Sequence, residues 1–329
     1  MKKLIIAAIV NTYLIILAGS IVRTTGSGMG CPDWPKCFGQ LVPPTNASQL
    51  PTNYKDIYIA KRIQKNEKLA KYLSAAGFND LAYLIVNDPT IKTETDFNAT
   101  KAWIEYVNRL LGVVLGPLLL ALLWVSYKRK CEFKGIFSWA LAVFLITLFQ
   151  GWLGSIVVST NLLPGTITVH MLLAFVILAI LIRMLHMVSP IVINAHEKLK
   201  YFSLVTLSLS LLQVYFGTEV RKEVDVISYQ NDYDFRNLWI SQLDWKFYMH
   251  RSFSLFVLVI NGFLLWKLKP ISEPLSKWIL GIIGVEILSG ITLTYFDFPA
   301  AMQPVHIVLA SILFGVQFLL WLRLRRESD

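Results

Sequence analysis

The stretch W-K-F-Y-M-H-R occupies Trp245–Arg251, and an earlier stretch, W-I-E-Y-V-N-R, occupies Trp103–Arg109. Tryptophan, tyrosine and arginine recur at the same three places, whereas His250 stands where the first copy has Asn108. A chain that repeats a segment in this way is predicted to contain two copies of one structural unit.

Further spacings repeat between the two halves of the chain. They are a pair of residues four apart and a triplet with intervals of 4 and 16 residues. The pairs are Gly19/Arg23 and Gly217/Arg221, and the triplets are Gln150/Gly154/His170 and Glu286/Gly290/His306. The duplication therefore covers most of the chain.

The composition excludes a soluble domain. Of 329 residues, 55% are hydrophobic and only 16% are charged, and the mean hydropathy is +0.55. An apolar run of about 18 residues or more spans a bilayer as a helix, because lipid offers backbone groups no hydrogen-bond partner. Eight such runs are present, at roughly 4–22, 102–126, 136–159, 166–188, 201–219, 246–266, 278–296 and 304–322.

The distribution of basic residues predicts the orientation. Lysine and arginine cluster in alternate short segments, at residues 2–3, 128–134, 198–200, 267–277 and 323–326. The short loops at 160–165 and 297–303 contain neither. By the positive-inside rule, both termini are expected in the cytoplasm of a bacterium, with the chain crossing its inner membrane. The net charge of +10 then reflects topology and does not indicate nucleic-acid binding.

These patterns predict an all-α integral membrane protein with eight transmembrane helices in two pseudo-symmetric four-helix bundles. The first helix is expected at 1–23, as a retained span without a signal-peptide cleavage site. A long periplasmic loop follows at 24–101, in which residues 56–75 predict a short amphipathic helix. The rest of the N-terminal bundle is expected at 102–199, and the C-terminal bundle at 200–329.

Three histidines lie a few residues inside the outer ends of even-numbered spans. They are His170, His250 and His306, and Asn108 takes the equivalent place in span two. An imidazole within a bilayer is costly, so it marks a cofactor or a pathway unless it only bonds a neighbouring helix. Two facing imidazoles in one bundle suit a haem iron ligated on both faces better than zinc. We predict a firmly held haem at His250 and His306 and a more open site at His170 and Asn108.

Glu105 shares a helix face with Asn108 and Arg109, and its counterpart in the second copy is Phe247. Two interpretations of its carboxylate are open. It forms an ion pair with Arg109 or contacts water, or it transfers protons and stabilises charge in catalysis. Glu286, mid-span, leaves the same choice between a buried hydrogen bond and catalysis.

Four arginines lie at the outer boundary of the spans, where they predict contacts either with haem propionates or with lipid headgroups. They are Arg23, Arg109, Arg221 and Arg251. We assign Arg109 to the more open site of the N-terminal unit and Arg251 to the firmly held haem of the C-terminal unit. In the outer loop, Cys31 and Cys37 favour a disulfide in an oxidising periplasm, as a structural staple or as a redox pair.

Three features together resemble the haem A synthase family. They are R-T-T-G-S-G-M-G-C-P-D-W-P-K-C-F-G at 23–39, E-Y-x-x-R at the start of span two, and the paired histidines of later spans. The resemblance implies oxidation of the C8 methyl of haem O to a formyl group, giving haem A for terminal oxidases. It further implies a b-type haem at His250 and His306, with Glu105 and His170 in the substrate half.

The chain departs from this family at Asn108, where the usual motif, E-Y-x-H-R, has histidine. The resemblance also implies haem O synthase (a protohaem farnesyltransferase) and an electron donor as partners. Two other functions remain open from the residues alone. One is a b-type electron carrier or quinol oxidoreductase, and the other is a haem transporter or chaperone.

Overall fold

A computed structural model describes residues 1–269 and 274–326. Its α-helices are α1 (Lys2–Thr24), α2 (Tyr54–Ala75), α3 (Asn79–Asn87), α4 (Ala99–Lys128), α5 (Ile136–Ser159), α6 (Pro164–Val188), α7 (Glu197–Gln230), α8 (Trp245–Leu268), α9 (Pro274–Tyr295) and α10 (Met302–Arg323). Strands β1 (Ile193–Ala195) and β2 (Leu324–Arg326) pair in parallel. Residues 270–273 of the predicted cytoplasmic segment, and 327–329 of the predicted C-terminal bundle, lie outside the described residues.

Eight of these helices, α1 and α4 to α10, are long and apolar enough to cross a membrane. Their outward faces expose large apolar side chains such as Val113, Leu148, Val259 and Leu288, as contact with lipid requires. The prediction of an all-α, multi-pass membrane protein is confirmed.

The membrane helices have two sets of neighbours. Helix α1 contacts α4 and α6, and α5 contacts the same two helices. In the second half, α7 and α9 each contact α8 and α10. The two sets meet where α10 packs against α1 and α6. These contacts are compatible with the predicted pair of four-helix bundles, while the symmetry axis between them stays a prediction.

Helix α7 is longer than the span predicted at 201–219, since it remains helical to Gln230. Its outer extension buries an apolar stripe against the loop that follows and against the segment before α10. The stripe and its partners are Val220, Val224, Ile227, Trp239 and Phe298. Burial of this stripe supplies the packing that keeps the chain helical beyond the apolar run.

The outer loop contains the amphipathic helix predicted at 56–75, as α2, and a second helix, α3, that was not predicted. The Lys65 Nζ donates to the carbonyl of Ser155 at 2.9 Å, and the Asn66 Nδ2 donates to that of Ser159 at 2.7 Å. These bonds place α2 over the outer end of α5, in the half predicted to bind substrate.

A buried ion pair between Arg62 and Glu94 organises this outer segment. The side chains are 2% and 3% exposed, and the Arg62 Nη1 also donates to the carbonyl of Thr93 at 2.8 Å. Burial raises the pKa of the Glu94 carboxyl above its usual value, and the guanidinium opposes that rise. The pair therefore depends on both partners, because either charge alone would be left buried and uncompensated.

We expect Glu94→Ala to loosen the outer segment. Removing one partner of a buried pair costs about 3–5 kcal/mol, so trypsin cleavage through local opening should rise by roughly 100- to 1,000-fold or more. Limited proteolysis of the purified full-length protein measures this rate. Asp96→Ala, which breaks the exposed pair with Lys55 and removes no trypsin site, is the matched control and should leave the rate unchanged. Equal rates for both variants would refute a stabilising role of the buried pair.

Candidate active site

Each of the four repeated ligand positions lies against a glycine of a neighbouring helix. The distances from a Cβ placed on the glycine to the facing side chain are 3.8 Å for Gly19 to Asn108 Oδ1, 3.3 Å for Gly154 to His170 Cε1, 3.1 Å for Gly217 to His250 Cε1, and 3.7 Å for Gly290 to His306 Cε1. A Cβ at Gly154 or Gly217 would therefore crowd the imidazole, whereas a Cβ at Gly19 or Gly290 would lie at ordinary contact distance from the facing side chain.

Two glutamines reinforce these contacts from one turn away. The Gln150 Nε2 donates to the carbonyl of His170 at 2.6 Å, and the Gln213 Nε2 donates to the carbonyl of His250 at 2.9 Å. Both glutamines stand four residues before the glycine of their helix. The bonds join α5 to α6 and α7 to α8 at the level of the histidines.

The structure brings His250 and His306 together. Their ring centres are 6.2 Å apart and the ring planes differ by 82°. With metal–imidazole bonds of about 2 Å and about 1 Å from each nitrogen to its ring centre, two axial imidazoles place their ring centres about 6 Å apart. The pair therefore fits a haem iron held between two histidines.

The Nδ1 atom of His306 has partners on α9. It lies 2.7 Å from the Ser289 Oγ and 3.3 Å from the Glu286 Oε1. Histidine ligands of metals commonly use one ring nitrogen for the metal and bond a carboxylate or hydroxyl with the other. The contacts at Nδ1 leave Nε2 as the nitrogen suited to ligation.

The N-terminal unit has an incomplete counterpart of this site. Among the described contacts, the buried Nδ1 of His170 and the buried Oδ1 of Asn108 have no hydrogen-bond partner. The Oε1 of Gln150 is likewise buried and has no hydrogen-bond partner. Buried polar atoms are normally satisfied. The Nδ1 of His250 and the Oε1 of Gln213 are also without a partner among the described contacts, so the two units differ in Asn108 and not in these atoms. One imidazole is available there instead of two.

Glu105 and Arg109 form an ion pair. This ion pair is the structural alternative that the sequence left open for the Glu105 carboxylate. Glu105 is only 4% exposed, and its Oε2 accepts a bond of 2.8 Å from the backbone N–H of Cys31. The guanidinium of Arg109 donates to three carbonyls of the outer loop. They are those of Cys31 at 2.8 Å, Asp33 at 2.6 Å and Lys36 at 2.9 Å. These two side chains therefore fasten the loop to the outer end of α4.

The predicted disulfide between Cys31 and Cys37 is present, and both residues are buried. Close approach of this loop to α4 depends on Gly30, because a Cβ there would lie 2.5 Å from the carbonyl carbon of Lys101. The Gly and Cys residues of the loop motif therefore have a structural role. They place the loop closed by the Cys31–Cys37 disulfide against the start of α4, which carries Glu105 and Asn108.

The four outer arginines have different surroundings. Arg23 and Arg221 both bind Asp225, with the Arg23 Nε at 2.7 Å from Oδ2 and the Arg221 Nη2 at 2.9 Å from Oδ1. This cluster joins α1 to α7, and Arg221 also reaches Gln303 on α10. Arg251 is exposed and rests over the ring of Tyr248. Arg23, Arg221 and Arg109 are thus engaged by the protein itself, whereas Arg251 is directed outward.

Sequence reasoning missed the partners of the predicted residues. Asp225 lies eight residues after Gly217, and its repeat counterpart is Ser27. Ser289 immediately precedes Gly290, and its counterpart is Leu153. Both residues lie where the two copies differ. A position-by-position comparison of the copies would therefore have drawn attention to them.

Comparison with known proteins gives a family for the chain. The family model of the cytochrome oxidase assembly protein, COX15-CtaA, matches residues 2–75 and 85–318. The matched residues include all of the predicted ligand positions, both loop cysteines and Glu105.

Individual relatives agree with this match. A heme A synthase of Ehrlichia canis is 27% identical over 334 residues, which cover 93% of this chain and 88% of the relative. One from Bartonella henselae is 25% identical over 337 residues, covering 92% and 86%. One from Shewanella oneidensis is 26% identical over 213 residues, covering 64% of this chain and 53% of that relative. The chain belongs to the cytochrome oxidase assembly protein family.

Proposed function

We propose that the protein is a haem A synthase, a membrane-bound oxidoreductase that converts the C8 methyl of haem O to a formyl group. The observation that carries the proposal is the unequal pair of sites. His250 and His306 have the separation of two axial ligands, whereas the equivalent positions of the N-terminal unit offer one imidazole and the amide of Asn108. One unit is suited to retain a haem and the other to admit and release one.

In this proposal the C-terminal bundle, residues 200–329, is the cofactor half. His250 and His306 would hold a b-type haem, and the exposed Arg251 would be available to its propionates. Bound haem supplies one-electron transfer. The contacts with Gly217 and Gly290 keep both imidazole rings in place, and the Gln213 amide secures the backbone of α8 at His250.

Residues 1–199 form the proposed substrate half. His170 binds the iron of haem O on one face, and Asn108 leaves the other face without a strong ligand, because an amide is a poor iron ligand. Arg109 has an indirect role in this half. Its guanidinium donates to loop carbonyls and so holds the loop against the outer end of α4. The helix α2 is bonded to the outer end of α5 in the same half.

Glu105 is the proposed catalytic carboxylate. It is the only Asp or Glu within α1, α4, α5 and α6, and it is buried close to the orphaned Asn108. Its Oε2 accepts a bond from the Cys31 N–H and its Oε1 accepts one from the Arg109 guanidinium, which fixes the position of the carboxylate. The carboxylate then accepts protons or stabilises positive charge during two successive oxidations of the methyl carbon.

The proposed setting is the inner membrane of a bacterium, with both termini in the cytoplasm and both haem sites near the periplasmic face. Lysine and arginine at the alternate short loops support this orientation. Haem O synthase supplies the substrate. Conversion of the methyl to a formyl group removes four electrons and adds one oxygen atom, so the system is completed either by dioxygen together with an electron donor or by water together with an electron acceptor. The Cys31–Cys37 bond stabilises the loop on the periplasmic side.

Haem analysis tests the function. The full chain is co-expressed with a haem O-producing farnesyltransferase in a host without haem A, and the extracted haems are separated by chromatography. Haem A in the extract is the expected result. Unchanged haem O, with haem B bound to the protein, would contradict the proposal and favour an electron carrier or a haem transporter.

Glu105→Gln should abolish haem A formation while the absorption spectrum of the bound b-type haem is retained. The amide keeps the volume and one acceptor oxygen but removes the charge and the proton-accepting carboxylate. Chromatography of extracted haems and the spectrum of the same membranes give the two readouts. Normal haem A production by this variant would remove Glu105 from the mechanism.

His250→Ala should remove the b-type spectrum from the purified protein, because one axial ligand is lost. His196→Ala is the matched control, since His196 caps α7 in the segment after α6 and contacts the backbone N–H of Lys198. The control should keep the spectrum. An unaltered spectrum in His250→Ala would show that this imidazole is not a ligand.

Asn108→His should increase the amount of haem that remains bound through purification. The equivalent place in α8 already accommodates an imidazole against Gly217, so space for the ring exists at Gly19. Asn108→Ala removes the amide without adding a ligand and serves as the control. The ratio of haem to protein measures the gain, and no gain over the control would mean that the first unit does not bind iron at this position.

A further inference from the structure

One histidine of the four-position repeat has side-chain partners that the others lack. The Nδ1 of His306 contacts the Ser289 Oγ at 2.7 Å and the Glu286 Oε1 at 3.3 Å. Among the described contacts, the buried Nδ1 atoms of His170 and His250 have no hydrogen-bond partner. The imidazole of His306 is therefore the one whose ring orientation is set through Nδ1.

The difference comes from two substitutions between the copies. Glu286 and Ser289 stand four residues and one residue before Gly290. The same places before Gly154 are Gln150 and Leu153. Gln150 donates to the backbone carbonyl of His170, the Nδ1 of His170 has no hydrogen-bond partner among the described contacts, and leucine has no polar group. The duplication has thus produced a carboxylate–hydroxyl pair in the C-terminal unit alone.

Among the described contacts, the carboxyl group of Glu286 has a polar side-chain partner in His306 alone. Its Oε2 is buried without a hydrogen-bond partner, and its side chain is 17% exposed. An isolated carboxyl group within a membrane helix is costly and is normally retained for a function. Its contact with His306 is the interaction that explains its presence in α9.

The chemistry of such a contact is general. An acceptor on Nδ1–H fixes the tautomer, directs Nε2 toward the metal and makes the imidazole a stronger electron donor. A stronger donor stabilises the oxidised iron, so it lowers the reduction potential of a haem. Ser289 holds the same nitrogen from a second direction, which restricts rotation of the ring.

We propose that Glu286, together with Ser289, is a positioning residue of the C-terminal haem site that orients His306 and lowers the reduction potential of the haem bound there. The inference rests on the proposed haem at His250 and His306. It adds that a carboxylate behind the ligand contributes to the potential of the C-terminal porphyrin site and has no counterpart behind His170, where Gln150 takes the equivalent place.

The test is a spectroelectrochemical titration of the full-length purified protein. Glu286→Gln should raise the midpoint potential of the bound haem, and Ser289→Ala should raise it by less. Glu286→Asp, which keeps a carboxylate, should restore part of the original value. Glu223→Gln is the matched control, because Glu223 pairs with Lys246 at the outer end of α7 and should not alter the potential.

The outcomes separate this inference from the proposed function. A wild-type protein without haem would overturn both. Bound haem with an unchanged potential and unchanged affinity in Glu286→Gln and Ser289→Ala would overturn the inference and leave the haem site standing. Loss of haem from Glu286→Gln in protein that elutes as folded on gel filtration would support positioning, provided that Glu286→Asp regains it. If Glu286→Gln does not fold, the shift in Ser289→Ala decides.

Discussion

The close approach of a side chain to a glycine of the next helix is the contact on which both halves of the molecule depend. It occurs four times, at equivalent places, and each time it puts a group able to meet a ligand at the interface between two membrane helices. A Cβ at Gly217 would lie 3.1 Å from the His250 ring, so even alanine would push the imidazole away from its place. Small residues at helix interfaces are usual in membranes, where packing replaces the hydrophobic effect.

From this common framework, a few substitutions make the two units chemically different. Asn108 replaces an imidazole, Glu105 adds a buried carboxylate, and Glu286 puts another behind His306. The first unit thereby loses a ligand and gains a group for proton chemistry. The second keeps both imidazoles and restrains one of them. Duplication followed by such divergence accounts for the proposed division of labour, in which one half retains a haem and the other transforms a second one.

Much of this arrangement was predictable from the sequence, because the membrane restricts what apolar runs can form. The eight helices, the amphipathic helix in the outer loop and the disulfide are all present. The proximity of His250 and His306 agrees with the prediction from their spacing. Contacts between distant segments were not predictable. The bonds from Arg109 to loop carbonyls, the shared Asp225 and the Ser289 contact depend on tertiary packing that periodicity does not encode.

The central claim is that one iron porphyrin sits between two imidazoles of the second unit. Electron paramagnetic resonance of the oxidised, purified protein tests it most directly, because the iron spin state reports its axial ligands. A low-spin ferric signal typical of two histidine ligands is expected, and it should vanish when either His250 or His306 is replaced. A purely high-spin signal, or a low-spin signal that survives both replacements, would rule out this arrangement.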